Sequence, residues 1–141
     1  MLDLALIGTE YWSATVVVEA GAVLRFAEAV GDDTLRRRPG PVAAPPSFVL
    51  SLVPFDAFAA LLDAAAAQVH ASELQLEQLR PILAGDRLEL HSRIVDVVRH
   101  PGAVAATSVV TIDDEGRDPP TGQTVYRARR VYAVLGTREA A

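Results

Sequence analysis

Neither cysteine nor lysine occurs anywhere in the 141 residues. The first absence removes disulfides, thiolate metal ligands and a cysteine nucleophile at once. The second leaves arginine as the sole basic side chain, thirteen in number against eighteen acids, for a formal charge of -5. We read the missing lysine as a coding bias of the source. The acidic balance argues against a nucleic-acid footprint, which needs positive patches. Histidine is scarce too. His70, His91 and His100 are the only three, and no two stand four apart on a helix face, which argues against a metal site. No apolar stretch reaches the roughly 20 residues that cross a bilayer. The opening MLDLALIGTEYW lacks the charged start and long apolar core of a signal peptide. A soluble cytoplasmic protein, without metal or cofactor, is the expectation.

What is present is a large apolar fraction. Half the residues are hydrophobic, which argues against disorder, and the length suits one domain over residues 1–141. Tyr11–Glu19 is rich in aromatic and β-branched residues and reads as a strand, with Gly8 as the turn before it. Ala20–Val30 has helical spacing, with Val23, Phe26, Ala27 and Val30 on one face. Gly31 is placed to end that helix. Asp32–Ala44, DDTLRRRPGPVAA, has charges, proline and glycine without apolar periodicity, and reads as a loop.

The stretch Val42–Leu62 is the axle of the chain. From Phe48 to Leu62 it is apolar on almost every side, which marks a buried helix. Pro45 and Pro46 open it, since proline suits a first helical position. Pro54 kinks it or separates two short helices. Ala57–Ala67 reads as a second helical piece, because Ala64–Ala67 favours helix strongly.

Beyond it the pattern has period two. Ser72–Leu79 interleaves Leu74 and Leu76 with Gln75 and Glu77. Arg87–Arg99 sets Leu88, Leu90 and Ile94 against Arg87, Glu89, His91 and Arg93. Val104–Ile112 puts Val104, Ala106, Val110 and Ile112 on one face. Thr124–Val134 opposes Tyr126, Ala128 and Tyr132 to Val125, Arg127 and Arg129. Turn residues separate the runs at Ala84-Gly85-Asp86, His100-Pro101-Gly102 and Asp113-Asp114-Glu115-Gly116. The fold class is α+β: a single hot-dog domain, an antiparallel sheet of about five strands wrapped round a buried apolar helix. Exposed sheet edges are a liability, so a dimer joining two sheets is expected.

PVAAPPSF (Pro41–Phe48) and RPILAGDRLEL (Arg80–Leu90) resemble the MaoC-like hydratase/dehydratase family of hot-dog proteins. The likeness extends to GTEYW from Gly8, to FAEAVGDD (Phe26–Asp33) and to DDEG (Asp113–Gly116). Within the family the chain is most similar to the N-terminal-type domain, which includes the non-catalytic subunits of bacterial heterodimeric (3R)-hydroxyacyl-ACP dehydratases. The resemblance implies reversible hydration of a trans-2-enoyl thioester to the (R)-3-hydroxyacyl thioester. Catalytic members carry Asp, four residues, then His after the first helix, a pair that holds and activates water. A backbone N–H at the start of the buried helix polarises the thioester carbonyl.

Laid on this chain, the aspartate falls at Asp32 and the histidine position at Arg37. Asp33 as the aspartate puts Arg38 there instead. Arginine cannot cycle a proton at neutral pH, so the dyad is broken in either register. By the same resemblance Pro45, Pro46 and Phe48 line the mouth of an acyl tunnel, and His70 lies near its course. Arg36, Arg37 and Arg38 form a basic run that either is solvated or clamps the phosphates of coenzyme A or phosphopantetheine. Asp32 is a lone base or a turn aspartate, and His70 a ligand-side or structural histidine. His91 reads as solvated and His100 as a turn residue. Ser47 and Ser51 have no nucleophile elbow around them. Asp56 and Asp63 stand where some hot-dog thioesterases carry a carboxylate.

The reading that follows is a non-catalytic hot-dog subunit. It binds an acyl-CoA or acyl-ACP thioester in a dimer whose partner supplies the dyad. The alternatives are a homodimeric thioesterase, a self-sufficient hydratase working through Asp32, His70 or Asp56, and an acyl-thioester-binding protein without chemistry.

Overall fold

Alternation of period two becomes a sheet because one face of each strand is buried and the other is not. The computed structural model describes residues 4–32, 34, 39–62, 66–102 and 107–136. Its strands are β1 (Glu10–Val17), β2 (Ala66–Gln78), β3 (Arg87–His100), β4 (Thr107–Arg117) and β5 (Thr124–Gly136), with helices α1 (Ala20–Ala29) and α2 (Phe55–Ala59). The five strands are all antiparallel and lie in the order β1-β3-β4-β5-β2. This is the expected α+β hot-dog architecture. Helix α1 stops where glycine was expected to stop it. Gly31 takes φ 81°, and the Gly31 and Asp32 amides close the last turn onto the Glu28 and Ala27 carbonyls, the paired bonds of a glycine-ended helix. Val23 and Ala27 are buried. Val30 is not: it is 58 % exposed, because it is the capping residue where the helical face ends.

The axle departs from expectation. It is not one long helix. Pro46–Ser51 forms a 3-10 helix, and α2 follows after Pro54. Pro54 does separate two short pieces, since it has no N–H to carry the ladder through. Phe48, Val49, Val53 and Phe58 are buried, but Phe55 is 47 % exposed, so the segment is not enclosed on every side. Nor is Ala57–Ala67 one helical piece: α2 ends at Ala59, and Asp63, Ala64 and Ala65 lie outside the described residues. The last turns close with Leu61 to Phe58 and Leu62 to Ala59 bonds, and β2 already begins at Ala66, opposite Gly136. Helix propensity is a weak prior, and pairing along β5 overrides it here.

The third departure is the stretch Asp113-Asp114-Glu115-Gly116. It is no turn but the middle of β4, whose burial alternates without a break to Arg117. The reversal lies further on. The Asp118 amide donates to the Gln123 carbonyl and the Gly122 amide to Asp118, with Gly122 at φ 71°. Val125, placed on the outer face by alternation, is buried along with Tyr126 and Ala128. Val104 and Ala106 lie outside the described residues.

The core is in two parts. One cluster joins Val18, Val23, Phe48, Leu88, Leu90 and Tyr126; the other joins Phe58, Ile94, Val97, Val110, Ile112 and Val134. A β-bulge between Glu10 and Trp12 turns consecutive side chains inward, as an extra residue in one strand does. Tyr11 packs on the second cluster and Trp12 on the first. Among the described residues no helix is long and apolar enough to cross a membrane.

Gly116 is needed for space rather than for its backbone angle. A Cβ there would stand 2.2 Å from the ring of Tyr126, a side chain only 1 % exposed and unable to swing away. Gly116→Ala is therefore expected to cost about 1–3 kcal/mol of stability through overpacking. Urea unfolding measures it, and the added substitution Tyr126→Leu is expected to recover part of the loss.

Candidate functional site

The two stretches that carry the family resemblance meet in space. Ala43 bridges Leu83, the Ala44 amide donates to the Ile82 carbonyl, and the Ala84 amide to Val42. The second stretch is tied by Asp86. One of its carboxylate oxygens accepts from the Leu83 amide at 2.9 Å and from Arg80 Nη1 at 3.0 Å. Gly85, at φ 93°, donates to the Val18 carbonyl at 2.6 Å. A loop is thereby held rigidly against the end of β1, and Pro45 and Pro46 are delivered to the start of the 3-10 helix.

At that start few amides face outward. Pro45 and Pro46 have no N–H, and the Phe48 amide already donates to the Pro45 carbonyl. Phe48 is 3 % exposed, packed edge-on against Phe26 with ring centroids 5.6 Å apart. Pro45 is partly buried and Pro46 and Ser47 are exposed. The Ser51 hydroxyl donates back to the Phe48 carbonyl at 2.6 Å, a helix-internal role.

Asp32 does turn work. One of its carboxylate oxygens accepts from the Thr34 amide at 3.0 Å and from the Thr34 hydroxyl at 2.6 Å, as short polar side chains do after helices. Asp33, Arg36, Arg37, Arg38 and Asp63 lie outside the described residues. His70 is exposed on β2, its Nε2 3.2 Å from Gln68 Oε1. Asp56 is exposed in the first turn of α2. Pro45, Pro46 and Phe48 are thus brought together, and His70 sits on a separate edge strand.

Between the two apolar clusters runs a polar group that alternation along β4 could have revealed. Val110, Ile112, Asp114 and Gly116 share one face, but the DDEG pattern reads more readily as a turn. Asp114 is 3 % and Arg130 7 % exposed. Arg130 Nη2 donates to Asp114 Oδ1 at 2.8 Å, and Nε stands 2.6 Å from Oδ2. The Ser92 hydroxyl donates to the same Oδ1 at 2.6 Å. Arg130 also donates to the Tyr11 hydroxyl at 3.1 Å and the Tyr132 hydroxyl at 3.3 Å. Tyr132 in turn stacks on Phe58 at 5.1 Å. Burial alone would lower the Arg130 pKa, but the Asp114 hydrogen bond and charge outweigh it and raise it. Burial raises Tyr11, with Arg130 opposing. The buried Tyr126 hydroxyl has no hydrogen-bond partner among the described residues.

An open cleft of about 740 Å³ lies elsewhere, on the outward face of the sheet, over Glu10, His91, Arg93, Glu115, Arg127 and Arg129. Among the described residues, none of the expected site residues lines it. Its charges are largely paired. Arg129 meets Asp113 through two bonds of 2.7 and 2.9 Å, and Arg117 meets Glu115 through two of 3.1 and 3.0 Å. The Arg117 bond above all, against burial and with help from Thr124, holds the Glu115 carboxyl down at about 2. His91 is not solvated as expected. It is half-buried, with a carboxylate at each ring nitrogen.

The model of the family described as FAS1-like, dehydratase domain region, matches residues 5–126. A search of curated sequences finds no match. Among solved structures the chain is similar to the C-terminally truncated HadBC (3R-hydroxyacyl-ACP dehydratase) complex of Mycobacterium tuberculosis. The identity is 21%, the coverage 93% of this chain and 97% of that one, and the TM-score 0.70. It is also similar to the ChsH1–ChsH2 complex of the same organism, at 15% identity, 94% and 87% coverage and TM-score 0.67. A Streptococcus mutans protein bound to acetyl-CoA follows at 16% identity, 94% and 87% coverage and TM-score 0.54.

Removing Asp114 leaves a buried guanidinium without its counter-charge. Asp114→Ala is expected to lower the unfolding free energy by about 3–5 kcal/mol. Asp113→Ala, which opens the exposed pair with Arg129, is expected to leave the urea midpoint almost unmoved, as surface pairs generally do.

Proposed function

The chain belongs to the FAS1-like dehydratase-region family with a hot-dog fold, and from that premise we propose that it is the subunit of an acyl-thioester hydratase/dehydratase that lacks the catalytic dyad. The observation that carries this is the arginine at position 37, where the Asp-x4-His pattern needs an imidazole. The state of Asp32 supports it. The carboxylate that should orient water is engaged by Thr34 two residues on.

In this reading Pro45, Pro46 and Phe48 form the mouth that admits the thioester, and Arg36 and Arg38 meet the phosphates of its carrier. The acyl tail is held by apolar wall, each buried CH₂ contributing about 0.8 kcal/mol. The dyad comes from a second hot-dog subunit. Strand β2 supplies the place for it. It is an edge strand of 13 residues, paired on one side with β5, and most of its side chains, His70 included, are exposed. Two of the similar structures are described as complexes, and one holds acetyl-CoA, which supports a thioester ligand and a paired assembly.

The test is enoyl hydration by the purified chain with crotonyl-CoA and longer enoyl-CoA, alone and with a dyad-bearing partner. Alone, turnover is expected to fall at least about 10²-fold below that of the mixture, the usual contribution of a positioned acid–base group. Full activity of the unaided chain would mean a self-sufficient hydratase. Saturable binding with no turnover in either setting would mean a binding protein.

A further inference from the structure

The start of β1 is fastened on both faces of the sheet. On the inner face, Tyr11 is reached by Arg130 Nη2 at 3.1 Å and lies against Phe58 with ring centroids 6.4 Å apart. On the outer face, its neighbour Glu10 meets His91 Nδ1, while His91 Nε2 stands 2.7 Å from Glu89 Oε1. A neutral imidazole donates from one ring nitrogen only. The other nitrogen would then present a lone pair to a carboxylate oxygen. Both contacts are attractive together only when the ring carries two protons.

We infer that Glu10, His91 and Glu89 form a proton-operated clasp: the doubly protonated imidazole adds a side-chain tie between edge strand β1 and β3, and loss of one proton leaves at most one of its two contacts and loosens the start of β1, which the Gly8 and Ile94 amides still hold to β3 and Thr9.

The surroundings single out His91 as the group that switches. From β1, Glu10 faces it; from β3, Glu89 and Arg93 flank it. From β4, Glu115 stands directly opposite in register, with Asp113 and Arg117 to either side. From β5, Arg127 is one strand further, opposite Glu115. Glu115 is held as an anion down to about 2 by Arg117, and Asp113 is engaged by Arg129. Imidazole is the side chain whose ordinary value lies nearest neutrality. Burial pulls the His91 value down and Arg117 opposes its charge, but the Glu89 and Glu10 bonds outweigh both and raise it. The sign follows. A pKa raised by folding stabilises fully below the unfolded value near 6.5 and is lost as pH rises through the folded value.

The bulge between Glu10 and Trp12 sits under the clasp, so opening it frees an irregular stretch rather than a regular ladder. It also provides the readout, because Trp12 is the single tryptophan of the chain. The experiment follows Trp12 fluorescence, amide exchange at Tyr11 and Trp12, and the His91 ring-nitrogen resonances between about pH 6 and 9, the range in which a raised imidazole titrates. In the wild-type chain, protection at Tyr11 and Trp12, taken as the observed exchange rate relative to the intrinsic base-catalysed rate at each pH, is expected to fall several-fold as the ring loses its second proton. His91→Gln and Glu10→Gln are each expected to leave low protection that no longer varies with pH. Wild-type protection that stays constant while His91 titrates overturns the inference. So does a transition that persists in His91→Gln, since it would then belong to His70 or His100. The reading of the chain as a dyad-less subunit stands or falls separately, because no enzyme assay enters this test.

Discussion

The ion pair between Asp114 and Arg130 is the constraint around which the interior is arranged. Two charges taken out of water cost several kcal/mol each, and they recover it only if their geometry is good and their remaining hydrogen-bonding positions are filled. Here Ser92, Tyr11 and Tyr132 fill most of them, while Arg130 Nε faces Asp114 Oδ2 as an ion pair without a well-angled hydrogen bond. The result is a polar seam with one apolar cluster on either side. It also fixes register. A one-residue slip of β4 would turn Asp114 to solvent and bring Asp113 and Glu115 inside, leaving Arg130 buried alone. Apolar alternation by itself tolerates small slips in a long strand; a buried pair of opposite charges does not.

The same logic organises the loops around the proposed mouth. The polypeptide near Pro45 has no regular element to lean on, so it leans on the stretch before β3, through the Ala43–Leu83 bridge and the bonds of Asp86. These two stretches lie about forty residues apart in sequence, and they resemble the family together because they act as one structural unit. Behind them the axle is short and opened by Pro54. Phe58 stays in the core while Phe55, at the head of α2, reaches solvent. A longer, closed helix would have buried both.

Much of this was legible in the sequence, and the parts that were not fail for identifiable reasons. The strands of the second half are strongly periodic, so β3 and its buried Leu88, Leu90 and Ile94 were readable directly. Gly31 as a helix end was readable because glycine there has one job. The Ala64–Ala67 run misled because alanine's preference is local, whereas the start of β2 is decided by β5, some seventy residues away. The DDEG stretch misled because its composition is that of a turn, and only the partner Arg130 makes an aspartate acceptable at a core position. Pro45, Pro46 and Phe48 were expected from the resemblance at a tunnel mouth; the structure sets the two prolines at the opening of the 3-10 helix and Phe48 in the core. The seam of Ser92, Asp114 and Arg130 was missed, because a charge inside a sheet can be recognised only with its counter-charge in view.

Strand β2 carries a consequence for handling the molecule. It is an edge strand with β5 on one side, and its guards are the charges of Glu73 and Glu77 and the two register breaks, between Ala66 and Gln68 and between Ala71 and Glu73, rather than proline or arginine. Any pairing of identical copies along that rim would bring carboxylate toward carboxylate. Ionic strength therefore governs self-association at this edge, low salt opposing it and high salt screening the repulsion.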